Sequence, residues 1–415
     1  MNLRFVKYYV FAGILIANGC SPAPKNNDEK TVEEKVVTAV TIEAEDFTKS
    51  TGEDIENPTT LTADTWLAFD VDFEVTGRYR SQVFSSFNEG AKVWVEDYYD
   101  NTDERTYDVT GKIVIGNNKS GFVEGSPFRA GNHKIKVHAS EGEVTIDKIV
   151  FTLMVEHQVT PKLYEQKMNG DEWKLVWSDE FDGEVVDTTK WNYDFGDWGW
   201  GNNELQYYTD NRKENARVED GNLIIEARKN DDGNEWTSAR LTTRGKETFK
   251  YGKIEFRAKA PRGKGNWAAA WTLGDSYLDE KSWPYCGEID ILESVGYEVN
   301  DETGDGTAHV TVHTPAYYFK KENQIGSTKD IVNIAGEFHT YAVEWTPTEI
   351  RGYVDEEQYY VYDKKANKLE WPFDEAQNII INLAMGGGWG GAQGMDPSIT
   401  SQQFIIDYVR VFDLN

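Results

Sequence analysis

The stretch Trp283 to Gly296, WPYCGEIDILESVG, places three carboxylates in a run that otherwise reads as a buried β-strand. Side chains on a strand alternate faces with a period of two. Glu288 and Asp290 therefore point one way with Cys286 and Leu292, while Ile289 and Ile291 point the other. Strict alternation would set Glu293 on the apolar side, where an unpaired ionised carboxylate costs several kcal/mol or more. A β-bulge adds one residue to a strand, returns the next side chain to the opposite face, and is frequent beside active sites. One bulge between Asp290 and Glu293 predicts a single wall carrying Glu288, Asp290 and Glu293.

Carboxylates sharing a wall repel one another, which spreads their pKa values and lets one keep its proton near neutral pH. Glycoside hydrolysis needs that division of labour: one carboxylate attacks the anomeric carbon or activates water, and another protonates the leaving oxygen. The outer members of E-x-D-x-x-E can lean together over the central Asp, which favours the roughly 5–5.5 Å separation of a retaining enzyme. Asp290 is then suited to hold the nucleophile by hydrogen bonding. The bare pattern also suits a calcium site or a solvated acidic strand. Cys286 beside it reads as a small buried hydrophobe rather than a nucleophile.

Outside this strand the chain is built of short alternating runs separated by Gly, Asn and Asp clusters, and no long run has helical period. At 415 residues it exceeds one ordinary core, since domains average about 100–200 residues. Runs such as TWLAFDVDFEV and VTIDKIVFTL predict one antiparallel sandwich over residues 39–155. A polar linker is expected at 156–172 and a second, larger β-sandwich at 173–415. The fold class is all-β, with two jelly-roll sandwiches in tandem.

The N-terminal residues MNLRFVKYYVFAGILIANGC have the layout of a secretory signal, with an apolar run too short to span a bilayer. The small residues before Cys20 resemble a bacterial lipoprotein cleavage site, although Ala17 and Asn18 are atypical there. Residues 1–20 are thus expected to be a signal peptide, Cys20 the lipidated residue, and 21–38 a flexible tether. Export to the outer membrane or cell surface follows, or secretion if no lipid is added. With Cys20 lipidated, Cys286 has no disulfide partner. The 43 Lys plus Arg against 72 Asp plus Glu give a net charge of -29, which opposes nucleic acid and sulfated polymers as partners.

Twelve of the 14 Trp lie between Trp173 and Trp389, several in glycine-rich contexts: GDWGWGNNELQYYT, GKGNWAAAW, SWPYCGE and GGGWGG. Indole faces there suit stacking on sugar rings, with Asn, Gln, Glu and Arg left to bond hydroxyls. Trp267 and Trp389 are candidates for this role.

Together with GEIDILE, the motifs LVWSDEFDG, WGNNELQYYT, YGKIEFRAKAPRGKGNWAAAWTLG, HVTVHTP, FHTYAVEWTPTEIRGYVDE, INLAMGGGWGG and IDYVRVF resemble the laminarinase branch of glycoside hydrolase family 16. The resemblance runs in order over almost all of Trp173 to Phe412 and implies endo-hydrolysis of β-1,3-glucan across a concave face. It implies Glu288 as nucleophile, Asp290 as its orienting partner and Glu293 as acid/base. Trp271 and Trp283 would flank the sugars on the non-reducing side, Asn203 and Arg244 would contact them, and His313 would lie near the acids. No cofactor is implied for catalysis. A structural calcium is implied at Glu180, the backbone of Gly221, and Asp407. Ala268 and Gly388 depart from the common pattern, where Pro and Asn are frequent, so the polymer could instead be mixed-linkage β-1,3-1,4-glucan or a galactan. A glycan-binding lipoprotein without catalysis is the reading from another class. A single copy is expected to suffice.

In the N-terminal segment, IEAEDF, TGRYRSQV and FRAGNHKIKVHASEGEVTIDKIVF resemble carbohydrate-binding module family 6, a jelly roll. That resemblance implies sugar binding and a calcium at Glu43, Glu45 and Asp147. Trp66 is a candidate platform, and Trp66 and Trp94 are the segment's two Trp.

Overall fold

The computed structural model describes residues 38–51, 59–87, 90–98 and 106–415. The expected signal peptide, Cys20 and nearly all of the tether lie outside them. The described residues form four β-sheets and four short 3-10 turns, with no α-helix. No helix among them is long and apolar enough to cross a membrane.

Two five-stranded sheets make the N-terminal sandwich. One has the order Ala39–Glu43, Val144–Glu156, Gly77–Phe87, Ser120–Phe128, with Thr60–Leu61 added on Val144–Glu156. The other runs Lys49–Ser50, Trp66–Phe73, Gly131–Glu141, Lys92–Tyr98, Ile113–Val114. Alternation explains the core: Leu67, Phe69, Val71 and Phe73 point in and meet Ile135, Val137 and Phe151. Each such side chain contributes roughly 1.5–3 kcal/mol by leaving water.

The C-terminal sandwich packs a nine-stranded sheet on a ten-stranded one. In the ten-stranded sheet, Gly252–Lys259 buries alternate residues, with Ile254, Phe256 and Ala258 turned inward. The nine-stranded sheet centres on Gln377–Met385, whose nine residues are all buried. One of its faces lies in the core and the other under the substrate-sized cleft, so this strand reads as a continuous apolar run broken by Asn378 and Asn382. Asn266–Gly274, Glu288–Val295 and Gly306–His313 follow it in order across the sheet.

The segment 156–172 is more than the plain linker its polarity suggests. Lys162–Glu165 pairs in parallel with Glu247–Lys250 and forms the edge of the nine-stranded sheet. Its backbone hydrogen bonds outweigh the missing apolar signal, because an edge strand needs no side chain in the core.

The two sandwiches touch backbone to backbone. A Cβ on Gly196 would lie 2.1 Å from the Glu124 carbonyl oxygen, and one on Gly125 would lie 2.3 Å from that of Phe195. The Asp197 N–H donates to Glu124 O at 3.1 Å, and Asp197 Oδ1 accepts the Glu124 N–H at 2.8 Å. Trp198, Trp200 and Tyr208 of the larger sandwich pack into the core of the smaller one. A second contact is ionic: Lys281 Nζ lies 2.9 Å from Asp97 Oδ1, and Arg129 Nε lies 3.1 Å from the fully buried Asp279.

Candidate active site

The register of Glu288–Val295 answers the question its sequence raises. Against Gly306–His313, Asp290 pairs with Thr311 and Glu293 with His309, so three steps on one strand match two on the other. Against Asn266–Gly274 the register shifts between Ala270, opposite Leu292, and Trp271, opposite Asp290. Ile291 is the extra residue. It and Leu292 both join the core, with Ile289, and Glu293 turns back to line the cleft with Glu288 and Asp290.

Each outer carboxylate accepts one indole N–H. Trp283 Nε1 donates to Glu288 Oε2 at 3.0 Å, and Trp267 Nε1 donates to Glu293 Oε1 at 3.1 Å. His313 Nε2 lies 3.4 Å from Asp290 Oδ2 and 3.7 Å from Glu288 Oε1. Burial, then repulsion from Glu293, holds Glu288 well above the usual carboxylate range. Burial, then Glu293 and Glu288, raises Asp290 further. Burial also raises Glu293, against the Trp267 hydrogen bond. Burial pushes His313 down to about 4, so it is neutral at neutral pH and supplies no counter-charge. Three acids without a cation among them retain at least one proton near neutrality, which is the state a general acid requires.

The cleft is about 900 Å³, the upper part of the roughly 300–1,000 Å³ range of small-molecule sites. Asn203, Trp267, Trp271, Trp283, His313 and Trp389, the residues expected near the sugars or the acids, all line it. Trp389 stands edge-on to Trp267, with ring centres 5.4 Å apart.

Arg244 does not line it. That residue lies beyond the strand Arg240–Thr242, donates to the Tyr277 carbonyl at 3.3 Å, and lines a second, smaller cavity. Arg240 is the arginine that the larger sandwich places in the cleft, held between the rings of Trp200 at 4.7 Å and Trp271 at 4.8 Å. It bonds Asp194 through Nε at 3.0 Å. Although burial works the other way, Arg240 and Arg78 hold the Asp194 carboxyl below its ordinary value. The pairing of Arg240 with Asn382 across the sheet, visible only in the folded chain, is what selects it over Arg244.

A polar chain supports the Trp271 wall: Trp271 Nε1 donates to Asn382 Oδ1 at 2.7 Å, Asn382 Nδ2 to the Tyr208 hydroxyl at 3.0 Å, and that hydroxyl to Glu204 at 3.3 Å. Trp200, Glu204 and Tyr208 all sit in GDWGWGNNELQYYT, a segment whose Trp and Gly content points to the cleft but whose local pattern does not distinguish these three.

Among the described residues, the trio of acids or His able to share a metal is Glu288, Asp290 and His313, with donor atoms within 4.8 Å of one another. Glu43, Glu45 and Asp147 are exposed and form no such group, so the calcium expected there lacks gathered side-chain ligands. On the larger sandwich, Glu180 makes a two-pronged pair with Arg410, at 3.0 and 2.7 Å, and Asp407 bonds Arg257. Both carboxylates are charge-balanced by arginines and do not fit a calcium site as they stand. Cys286 is buried, and burial raises its thiol, which is the state of a packing residue and not of a nucleophile.

The sequence profile of the Glycosyl hydrolases family 16 matches residues 202–410, half of the chain and the whole of the cleft strand. The chain belongs to glycosyl hydrolases family 16. It is a glycoside hydrolase. It is 48% identical to a Beta-glucanase of Rhodothermus marinus over 249 residues, covering 58% of this chain and 85% of that one. It is 36% identical to a Glucan endo-1,3-beta-glucosidase of Cryptopygus antarcticus over 261 residues, 59% of this chain and 93% of the other. The X-ray structure of the laminarinase from Rhodothermus marinus superimposes with a TM-score of 0.55 at 47% identity, covering 59% of this chain and 98% of that one. For a family 16 hydrolase, three acids together on one wall have a use that a protein which merely binds glycans would lack.

Proposed function

We propose that this hydrolase cuts β-1,3-glucosidic bonds inside laminarin-type glucans with retention of configuration. The bulge at Ile291 carries the proposal, because it alone brings Glu288, Asp290 and Glu293 to one wall. In the first step a Glu288 oxygen bonds to the anomeric carbon while the glycosidic C–O bond breaks and Glu293 gives its proton to the departing oxygen. In the second, water attacks the same carbon, Glu293 takes the water's proton, and Glu288 leaves as carboxylate. Asp290, whose Oδ2 has no hydrogen-bond partner among the described residues, keeps a proton that it can turn toward Glu288 to hold it in line. Trp271, Trp267, Trp283 and Trp389 supply ring faces and Arg240 and Asn203 supply hydroxyl contacts.

The β-1,3 linkage rests on the relatives, whose names give a β-glucanase, a glucan endo-1,3-β-glucosidase and a laminarinase. The N-terminal sandwich is proposed as a glycan-contacting domain. Anchoring through Cys20 outside the cytoplasm is part of the same proposal, motivated by the sequence before Cys20 and by a polymer too large to enter a cell.

Reducing-end release by the chain lacking residues 1–20, on laminarin, barley mixed-linkage glucan and agarose, tests the substrate. Cleavage of laminarin that Glu288→Gln abolishes is expected. Preference for barley glucan or agarose would overturn the substrate and leave the family standing.

A further inference from the structure

The cleft that holds the three acids is not built by the family 16 sandwich alone. Arg78, Trp94, Thr106 and Asp108, all of the N-terminal sandwich, line the same cavity as Glu288 and Glu293. Arg78 marks their end of the cleft, its guanidinium 5.8 Å from the rings of both Trp200 and Tyr277, and Gly111 in the turn after Asp108 lies against the backbone of Trp198 and Gly199.

Three of them are held in place by their neighbours. Trp94 is half-buried and stacked on His138, with ring centres 4.0 Å apart and planes within 8°. His138 is held in turn by Glu96 at 2.8 Å, so the indole has a set orientation. Asp108 Oδ1 accepts the N–H groups of Thr110 and Gly111 at 3.0 and 2.8 Å, which locks its carboxyl at the cleft edge. Arg78 is anchored near Asp194 at 3.8 Å, and its Nη1 is buried with no hydrogen-bond partner among the described residues. Arg78 also lines the smaller second cavity, so its guanidinium stands where the two meet. An aromatic plane, a donor and an acceptor converging on one cavity are what a sugar unit requires. The backbone docking at Gly125 and Gly196 and the Lys281–Asp97 contact hold this wall against the catalytic sheet.

We propose that the N-terminal sandwich builds a distal sugar subsite of the catalytic cleft, in which Trp94 stacks on a glucosyl unit, Arg78 donates to its hydroxyls and Asp108 accepts from them. The unit belongs to the same chain that is being cut, on the side away from Trp389. This rests on the glucanase reading above. The smaller sandwich thus acts on chain-length preference, not as a separate anchor that finds the polymer at a distance.

The test uses the chain lacking residues 1–20 and laminari-oligosaccharides from the trimer to the heptamer. For the wild type, kcat/KM is expected to rise with length, and one added unit is expected to give a step that Trp94→Ala removes, about 2–10-fold. The trimer should be cut equally well by both, and Trp94→Phe should restore most of the step. Equal loss at every length would mark Trp94 as merely structural and overturn the inference, as would an unchanged length dependence in Trp94→Ala. No cleavage at any length by the wild type would instead overturn the glucanase reading, and the inference with it.

Discussion

Trp283 Nε1 donates to Glu288 Oε2 at 3.0 Å from a loop that the other domain holds in place. Two residues earlier in that loop, Lys281 reaches Asp97 of the N-terminal sandwich. The orientation of the proposed nucleophile is therefore tied, through one short loop, to the docking of the two sandwiches.

Replacing Trp283 with Phe keeps a ring and removes the hydrogen bond. A bond to a charged acceptor is worth about 1.5–3 kcal/mol, so kcat/KM should fall about 10–100-fold. This hydrogen bond lowers Glu288, so its loss raises Glu288 further. The acid limb of the pH profile should move to higher pH in Trp283→Phe. A variant damaged only in packing would lose rate with that limb unmoved.

The raised carboxylates make stability fall with pH. Glu288 and Glu293 are held above their ordinary values by burial, so the folded state binds protons that the unfolded state has lost. Their contribution is complete below the unfolded value of about 4.3 and is lost as pH rises through the raised folded values. Glu288→Gln removes this liability. Its melting temperature should exceed that of the wild type by about 2–4 °C at pH 8 and match it near pH 4, although the variant is expected to lose its turnover. Calorimetry at the two pH values reads this directly.

Lys281 and Asp97 are both buried, at 9% and 1% exposure. Removing Lys281 leaves the buried Asp97 with His133 Nδ1, at 2.8 Å, as its remaining side-chain partner, and breaking a buried pair costs up to about 3–5 kcal/mol. Lys281→Ala should melt well below the wild type, and the double change Lys281→Met with Asp97→Asn should recover much of the loss. Retention of wild-type stability by Lys281→Ala would show that the interface does not depend on this pair.

Cys286 sits two residues before Glu288 yet packs with Leu273, Tyr277 and Trp283. Cys286→Ala should keep its activity, and iodoacetamide should leave the native enzyme uninhibited. Loss of turnover on alkylation of the folded protein would contradict the packing role.

Much of the site is legible in the sequence because the strand rule is strict. Period-two alternation makes Glu293 an anomaly that only a bulge resolves, and the register shows that bulge. The Trp-rich, glycine-rich segments likewise name most of the tryptophans that line the cleft. The choice of Arg240 over Arg244 depends on which residue stands opposite Asn382, and pairing between distant strands leaves no local pattern. The same holds for Arg78, Trp94 and Asp108, which reach the cleft only because two sandwiches dock. The strand Lys162–Glu165 was hidden for a different reason, since its hydrogen bonds are made by backbone that any polar sequence provides.

Glu288 and Glu293, set on one wall by the extra residue Ile291, are proposed to act as nucleophile and acid/base in a double displacement. Proton NMR of the first products from laminari-oligosaccharides tests it most directly, by following the anomeric signals before mutarotation. A double displacement makes the new reducing end appear first as the β-anomer. First appearance of the α-anomer would mean a single inverting displacement, and would contradict it.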